Sequence, residues 1–215
     1  MKLSIIIVNY NTKDYLRQVL QSIKQSRDNL TKEIIVVDNA STDGSQAMIR
    51  HHFNWVKLIQ ASQNLGYAAA NNLGLTRAKG EYILFLNSDT QILSDTLTTM
   101  IKFMDQYQDV GISTCRVELP GGQIDPASHR GFPTPWAALT YFTGLETAFP
   151  KFRLFGQYHQ RWQDLSAIHE IDSPAGAFFL TRKLILDAVG SFDDRFFMYA
   201  EDLDLSLRIK QTGWK

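Results

Sequence analysis

Three aspartates stand where an apolar or aromatic run gives way to polar chain, and each offers a chemistry. Asp38 ends the run Ile34-Ile35-Val36-Val37. A carboxylate at the end of a buried strand can accept from a polar N–H such as a pyrimidine imide. It can equally cap or bend the turn-rich segment that follows, Asn39-Ala40-Ser41-Thr42-Asp43-Gly44. Ser41 and Asp43 are read as turn residues of that kind. Asp89 follows Phe85-Leu86-Asn87-Ser88. That position suits Mg²⁺ or Mn²⁺, which bind through one or two carboxylates together with phosphates and water. Asp202 lies in Phe196-Phe197-Met198-Tyr199-Ala200-Glu201-Asp202-Leu203-Asp204. The helix dipole alone favours acids in a first turn, which is enough to account for Asp204. It does not explain two adjacent acids after so aromatic an approach. A carboxylate kept ionised at a helix start is what a general base needs.

The elements that would position these groups alternate between two periodicities. Leu3 to Val8 is a continuous apolar run ending in Asn9-Tyr10-Asn11 and reads as a strand buried on both faces. Thr12 can cap the next element, in which Leu16, Val19, Leu20 and Ile23 fall at helical spacing. Strands are expected at Ile34 to Val37, Val56 to Ile59, Tyr82 to Leu86 and Val110 to Thr114. Helices are expected at Ala47 to Phe53, at Tyr67 to Ala78, and from a Ser94 cap to about Met104. Further on, Ala175 to Leu180 reads as a strand and Arg182 to Val189 as a short helix stopped by Gly190. Glu201 to Thr212 reads as a helix closed by Gly213. The pattern predicts one α/β domain over residues 1–215, a Rossmann-like, mostly parallel sheet flanked by helices. Such sheets bind ligands outside the carboxyl ends of their strands, where Asn9 and Asn11, Asp38 and Asp89 all fall.

Glu118 to Trp136 carries Pro and Gly throughout and reads as a functional loop. Trp136, Tyr141, Phe142, Phe149, Phe152, Phe155, Tyr158 and Trp162 follow. They could pack a core, line an acceptor groove or touch a membrane surface; core packing is the preferred reading. His159 and His169 read as structural, and His51 and His52 as charges at a helix C-terminus. Arg130, in the loop, has the chemistry to meet a phosphate or an acceptor.

Lys+Arg and Asp+Glu both total 22, so the chain is neutral. That argues against a nucleic-acid partner. The single cysteine, Cys115, allows no internal disulfide and reads as a small core residue. No apolar run reaches bilayer-spanning length, and the N-terminal run stops at Asn9 without a cleavage site, so a cytoplasmic protein is expected. The G-x-G-x-x-G and P-loop signatures are absent, so phosphates would have to be held by a carboxylate-bound metal instead.

Taken together, Ser4-Ile5-Ile6-Ile7-Val8-Asn9-Tyr10-Asn11, Val36-Val37-Asp38-Asn39-Ala40-Ser41 and Asn64-Leu65-Gly66-Tyr67-Ala68-Ala69-Ala70-Asn71-Asn72 resemble a glycosyltransferase of the family-2 type with the GT-A fold. The series continues with Leu86-Asn87-Ser88-Asp89, Gly176-Ala177-Phe178-Phe179-Leu180 and Glu201-Asp202-Leu203-Asp204-Leu205. It is most similar to bacterial rhamnosyltransferase-like enzymes of cell-surface polysaccharide assembly.

The resemblance implies that Asp38 contacts the base of a dTDP- or UDP-sugar, flanked by Val8, Tyr10 and Asn11. Asn64, Gly66 and Asn71 would line the ribose-diphosphate side. Asp89 would meet the Mg²⁺ or Mn²⁺ ion, with Asn87 standing where the family's motif has a first acid. Asp202 would be the base of an inverting transfer to a glycan or lipid-linked hydroxyl. Peripheral association with the inner face of the cell membrane is compatible with such an acceptor. Look-alikes continue past the equivalent of Gly213-Trp214 to a metal-binding histidine, so a domain truncated at its C-terminus is expected. The rival readings are a non-catalytic nucleotide-sugar-binding module and a sugar-phosphate nucleotidyltransferase. The latter resembles its relatives in a Gly-rich first loop, where this chain has Asn9-Tyr10-Asn11-Thr12.

Overall fold

The apolar run Ile5–Val8 forms most of β1 (Leu3–Asn9), which sits inside a six-stranded sheet in a computed structural model covering residues 1–215. Around it lie β2 (Lys32–Asp38), β3 (Lys57–Gln60), β4 (Tyr82–Leu86), β5 (Ile112–Ser113) and β6 (Phe178–Arg182), in the order β3-β2-β1-β4-β6-β5. The first four strands in that order are mutually parallel, while β6 runs antiparallel to both β4 and β5. The sheet is therefore mixed, with a parallel half carrying three of the polar strand ends.

Period-two alternation divides the core. Ile5 and Ile7 join one cluster with α1 (Lys13–Gln25), α2 (Ser45–His52) and α4 (Thr96–Gln106). Ile6, Ile35 and Val37 face the other side, against α3 (Gly66–Leu75), α7 (Lys183–Val189) and α8 (Glu201–Gln211). Small side chains let α3 approach closely: a Cβ on Gly74 would come within 2.6 Å of Ile6 Cγ2. Between β5 and β6 the chain makes a long excursion bearing two short helices, α5 (Pro135–Phe142) and α6 (Leu145–Ala148).

Several local expectations are corrected. The strand expected at Val110 to Thr114 shrinks to β5, because only Ile112 and Ser113 pair with β6. The strand expected from Ala175 begins at Phe178; the residues before it turn into the sheet. Neither Ser94 nor Thr12 caps a helix with its side chain. Asp95 precedes α4, and the amide of Lys13 donates instead to Asp43 Oδ2 at 2.8 Å. Asp43 is thus a structural acid, as its turn-rich context suggests. Cys115 is half-buried, and burial pushes its thiol up to about 11, which keeps it from acting as a thiolate nucleophile.

Candidate active site

The carboxyl ends of β1, β2 and β4 come out on one rim. Asn9 is in register with Asp38, and Ile6 with Phe85 three residues upstream. β6 runs the opposite way, so its first residue, Phe178, pairs with Leu86 and brings Gly176 and Ala177 to the same rim.

Asp38 is fully buried and accepts three hydrogen bonds. Asn9 Nδ2 donates to Oδ2 at 2.9 Å. The Ser41 amide and Gln46 Nε2 donate to Oδ1 at 2.9 and 2.7 Å. Two of these donors are built into the loops. Gln46, on α2 and only half-buried, is a removable one; its own carbonyl is held by Gln60 at the end of β3. Around Asp38 the loops are stitched together: the Asn11 amide donates to Ser41 Oγ, and Asn11 Oδ1 accepts from the Thr42 amide. Tyr10 stands exposed beside them and Val8 is half-buried. Asn11 (φ 53°) and Ala40 (φ 67°) both hold left-handed backbone, a strain that structures keep mainly where a site requires it.

The Asn64–Gly66 turn is fixed by a residue to which the sequence pattern assigns no role. Buried Asn39 donates to Asn64 Oδ1 (2.7 Å) and Gly66 O (3.1 Å), and accepts from the Leu65 amide. Gly66 has φ +80°, and a Cβ there would lie 2.3 Å from Phe197 O. The Tyr67 amide donates to that same carbonyl at 2.7 Å. The start of α3 is thereby locked onto the aromatic approach to α8. Asn71 is buried within α3 and donates to Tyr67 O, so its amide points into the protein.

Asp89 is exposed, in a turn closed by the Thr90 amide on Asn87 O, and forms no ion pair. Asp202 lies in the first turn of α8, nearly buried, with Oδ2 2.6 Å from an Arg130 guanidinium nitrogen. Arg130 also donates to Pro174 O at 3.2 Å. The structure therefore gives Arg130 to the candidate base, a partner 72 positions away that no local pattern announces. Tyr199 and Ala200, both at φ 69°, hold the entry to α8 in left-handed backbone.

Tyr67 feels the charge of three of these acids. Its hydroxyl donates to Gly176 O at 3.1 Å. Burial first, then the charges of Glu201, Asp202 and Asp89, push its phenol far up, so it remains neutral. Glu201 is buried beside Asp202 with Oε2 unpartnered; burial, and then the Asp202 charge, raise its carboxyl. Folding therefore holds this proton more tightly than the unfolded chain does. Glu201's contribution to stability is full below about pH 4, the ordinary glutamate range, and declines as pH rises through the raised value. Glu201→Gln is expected to melt with wild type in acid and above it at neutral pH. Parallel melting curves at both pH values would show that Glu201 carries no buried-charge penalty.

The aromatic segment departs from its expected role. Trp136, Tyr141, Phe142, Phe149 and Phe152 are exposed, while Phe155, Tyr158 and Trp162 are only half-buried, so none belongs to the core. With α5 and α6 so short, the excursion has too little second layer to cover its own rings. His159 is structural as expected, its Nδ1 3.0 Å from Glu146 Oε1. A cavity of about 660 Å³ lies along β5 between Phe103, Cys115 and Ile168 and includes none of Asp38, Asp89 and Asp202.

Comparison with known proteins agrees with this arrangement. Over 97% of its length the chain is 27% identical to rhamnosyltransferase WbbL of Escherichia coli, covering 77% of that protein. Over 99% it is 25% identical to the N-acetylglucosaminyl-diphospho-decaprenol L-rhamnosyltransferase of Mycobacterium tuberculosis, covering 71%. An uncharacterized glycosyltransferase of Haemophilus influenzae is 42% identical over 108 residues, which are 48% of this chain and 42% of that protein. Among solved structures, the mannosyltransferase PcManGT of Pyrobaculum calidifontis, in complex with GDP-Man and Mn²⁺, superposes with a TM-score of 0.69 at 20% identity. That match covers 100% of this chain and 53% of the mannosyltransferase. S. aureus TarS in complex with UDP gives 0.66 at 22%, covering 97% of this chain and 55% of that one. The chain thus spans about half the length of these two solved structures. These neighbours share its GT-A fold, and the profile described as "Glycosyl transferase family 2" matches residues 4–180: the chain belongs to that family.

Proposed function

We propose that this chain is the donor-binding and catalytic domain of an inverting glycosyltransferase. It would move a sugar, with rhamnose the leading candidate, from a nucleoside diphosphate to a hydroxyl of a cell-surface glycan or lipid-linked acceptor. The observation that carries the reading is the shared rim: the ends of β1, β2 and β4, with Asp38 and Asp89, come out together, and the Asn64–Tyr67 turn links Asn39 to the approach to α8, where Glu201 and Asp202 lie. The names of the full-length relatives support the sugar and the lipid-linked acceptor. GDP-Man, UDP and UDP-GlcNAc in the solved neighbours support a nucleotide-sugar donor.

In this reading a pyrimidine imide takes the place of the Gln46 amide on Asp38 Oδ1, between the loops bearing Val8, Tyr10 and Asn11. The ribose and diphosphate run past Asn64 and Gly66 towards Asp89. Asp202 takes the proton of the acceptor hydroxyl once Arg130 yields. The hydroxyl oxygen bonds to the anomeric carbon on one face as the bond to the diphosphate breaks on the other, inverting the centre through an oxocarbenium-like transition state. Positioning and charge stabilisation carry most of the barrier reduction.

Asp89 fits a divalent ion of the kind that arrives with its phosphates: its carboxylate is exposed just past the end of β4 and engaged in no ion pair. When bound, Mg²⁺ or Mn²⁺ supplies positive charge to the diphosphate leaving group. Calorimetry with UDP, dTDP and GDP, each with Mn²⁺ and with EDTA, tests the donor site. Nucleoside diphosphate binding is expected to strengthen modestly with Mn²⁺, and Asp89→Ala to abolish the increment while keeping the metal-free affinity. An EDTA-insensitive wild type would remove the metal from the proposal.

A further inference from the structure

The excursion between Gly131 and Tyr158 has a surface that the donor site does not use. We infer that its aromatic face docks on an anionic lipid bilayer and so brings a membrane-held acceptor to Asp202. This rests on the reading of the acceptor as lipid-linked.

Six large apolar side chains of α5 and of the chain just after α6 stand in solvent: Leu139 (51% exposed), Tyr141 (48%), Phe142 (83%), Phe149 (45%), Phe152 (61%) and Leu154 (58%). Ring contacts join them into patches rather than scattered residues: Tyr141 packs on Phe142 at 5.3 Å between centroids, and Phe149 on Phe152 at 6.0 Å. Exposed apolar side chains grouped in this way mark a contact with something, since water alone disfavours them.

Charge selects the occupant. The whole chain is neutral, yet between Asp125 and Asp164 the only acid is Glu146, which is buried against His159. Lys151, Arg153 and Arg161 lie in the same stretch, exposed and without ion pairs. Arg153 rests over the Trp162 ring at 5.1 Å. Aromatic and aliphatic side chains interleaved with unpaired cations suit the headgroup boundary of an anionic membrane, where rings enter the acyl edge and cations meet lipid phosphates. A second copy of this chain would present the same cations and repel.

The excursion is rooted beside the candidate base. The Gly131 amide donates to Tyr158 O at 2.7 Å, closing its neck, and a Cβ on Gly131 would meet Gln157 O at 2.1 Å. The adjacent Arg130 is the residue paired with Asp202, and its backbone bonds Ser173 in both directions. Docking of the patch would thus act one residue away from the Asp202 partner.

The test is sedimentation of the full-length protein with vesicles of equimolar phosphatidylglycerol and phosphatidylcholine, and with phosphatidylcholine alone, without donor or acceptor. Wild type is expected to bind the anionic vesicles and to lose binding as salt rises. F142E/F152E and K151E/R153E should each weaken binding by at least about tenfold, as expected for loss of interfacial rings or of two cations near an anionic surface. UDP calorimetry on the same variants should be unchanged. Failure of vesicle binding with intact UDP binding would overturn the membrane surface and leave the donor site standing. A wild-type dimer that F142E/F152E converts to monomer would overturn it by assigning the face to self-association. Equal binding of wild type and both variants would place the membrane contact elsewhere on the protein and overturn the inference.

Discussion

Asp202→Asn is expected to lower sugar transfer by about 10²- to 10⁴-fold, the range for loss of a general base, with donor affinity nearly intact. The substitution keeps the shape of the side chain and leaves an amide oxygen that can still accept from Arg130, so the fold should persist. In the proposed reading Asp202 serves the acceptor: it is approached through Phe196-Phe197-Met198-Tyr199 and covered by Arg130, while the loops assigned to the donor are tied to Asn9, Asp38 and Asn39. An acid that serves only to start a helix makes a different forecast, a stability loss below about 1 kcal/mol and an unchanged rate. Single-turnover transfer by the full-length protein, with its donor and acceptor, separates the two. Near wild-type transfer by Asp202→Asn together with a collapse in Glu201→Gln would assign the base to Glu201. Normal transfer by both variants would end the catalytic reading of α8.

Asp38→Ala is expected to weaken nucleoside diphosphate binding by roughly 1–3 kcal/mol, about 5- to 150-fold, the cost of a lost hydrogen bond to a charged group. Because Asp38 also holds Asn9 and Ser41, part of any loss could come from slackened loops, and thermal stability must be measured beside affinity. Gln46→Ala provides the control. It empties one position on Oδ1 without touching the other two donors. A base that occupies that position should bind Gln46→Ala at least as well as wild type. Unchanged calorimetric affinity in Asp38→Ala would take Asp38 out of the nucleotide site.

The parallel half of the sheet was legible because its strands are buried on both faces. Such strands must be unbroken apolar runs, and they stop visibly at Asn9, Asp38 and Asn87. The acids at their ends could be located for the same reason. The excursion was not legible, because a ring that packs a core and a ring that faces a membrane leave the same letter in the sequence. Only the area of the covering layer distinguishes them, and α5 and α6 are too short to supply it. Arg130, Asn39 and Tyr67 acquire their roles through partners distant in the chain, Asp202, Asn64 and Gly176, and no periodicity encodes such pairs. Tyr67 and Asn39 each lie within a segment that resembles the family, and that resemblance is the signal the sequence carries for them.

The antiparallel placement of β6 also has a consequence in time. β4 is an all-apolar strand, Tyr82-Ile83-Leu84-Phe85-Leu86, whose second neighbour does not exist until Phe178–Arg182 has been made. During synthesis, at about 5–20 residues per second, the sheet β3-β2-β1-β4 can close by short local crossovers while its last edge stays bare for several seconds. An open apolar edge is a template for pairing with another chain. The nascent protein thus passes through an interval in which the parallel half is assembled, the helix bearing Asp202 is still unmade, and a hydrophobic edge awaits its partner.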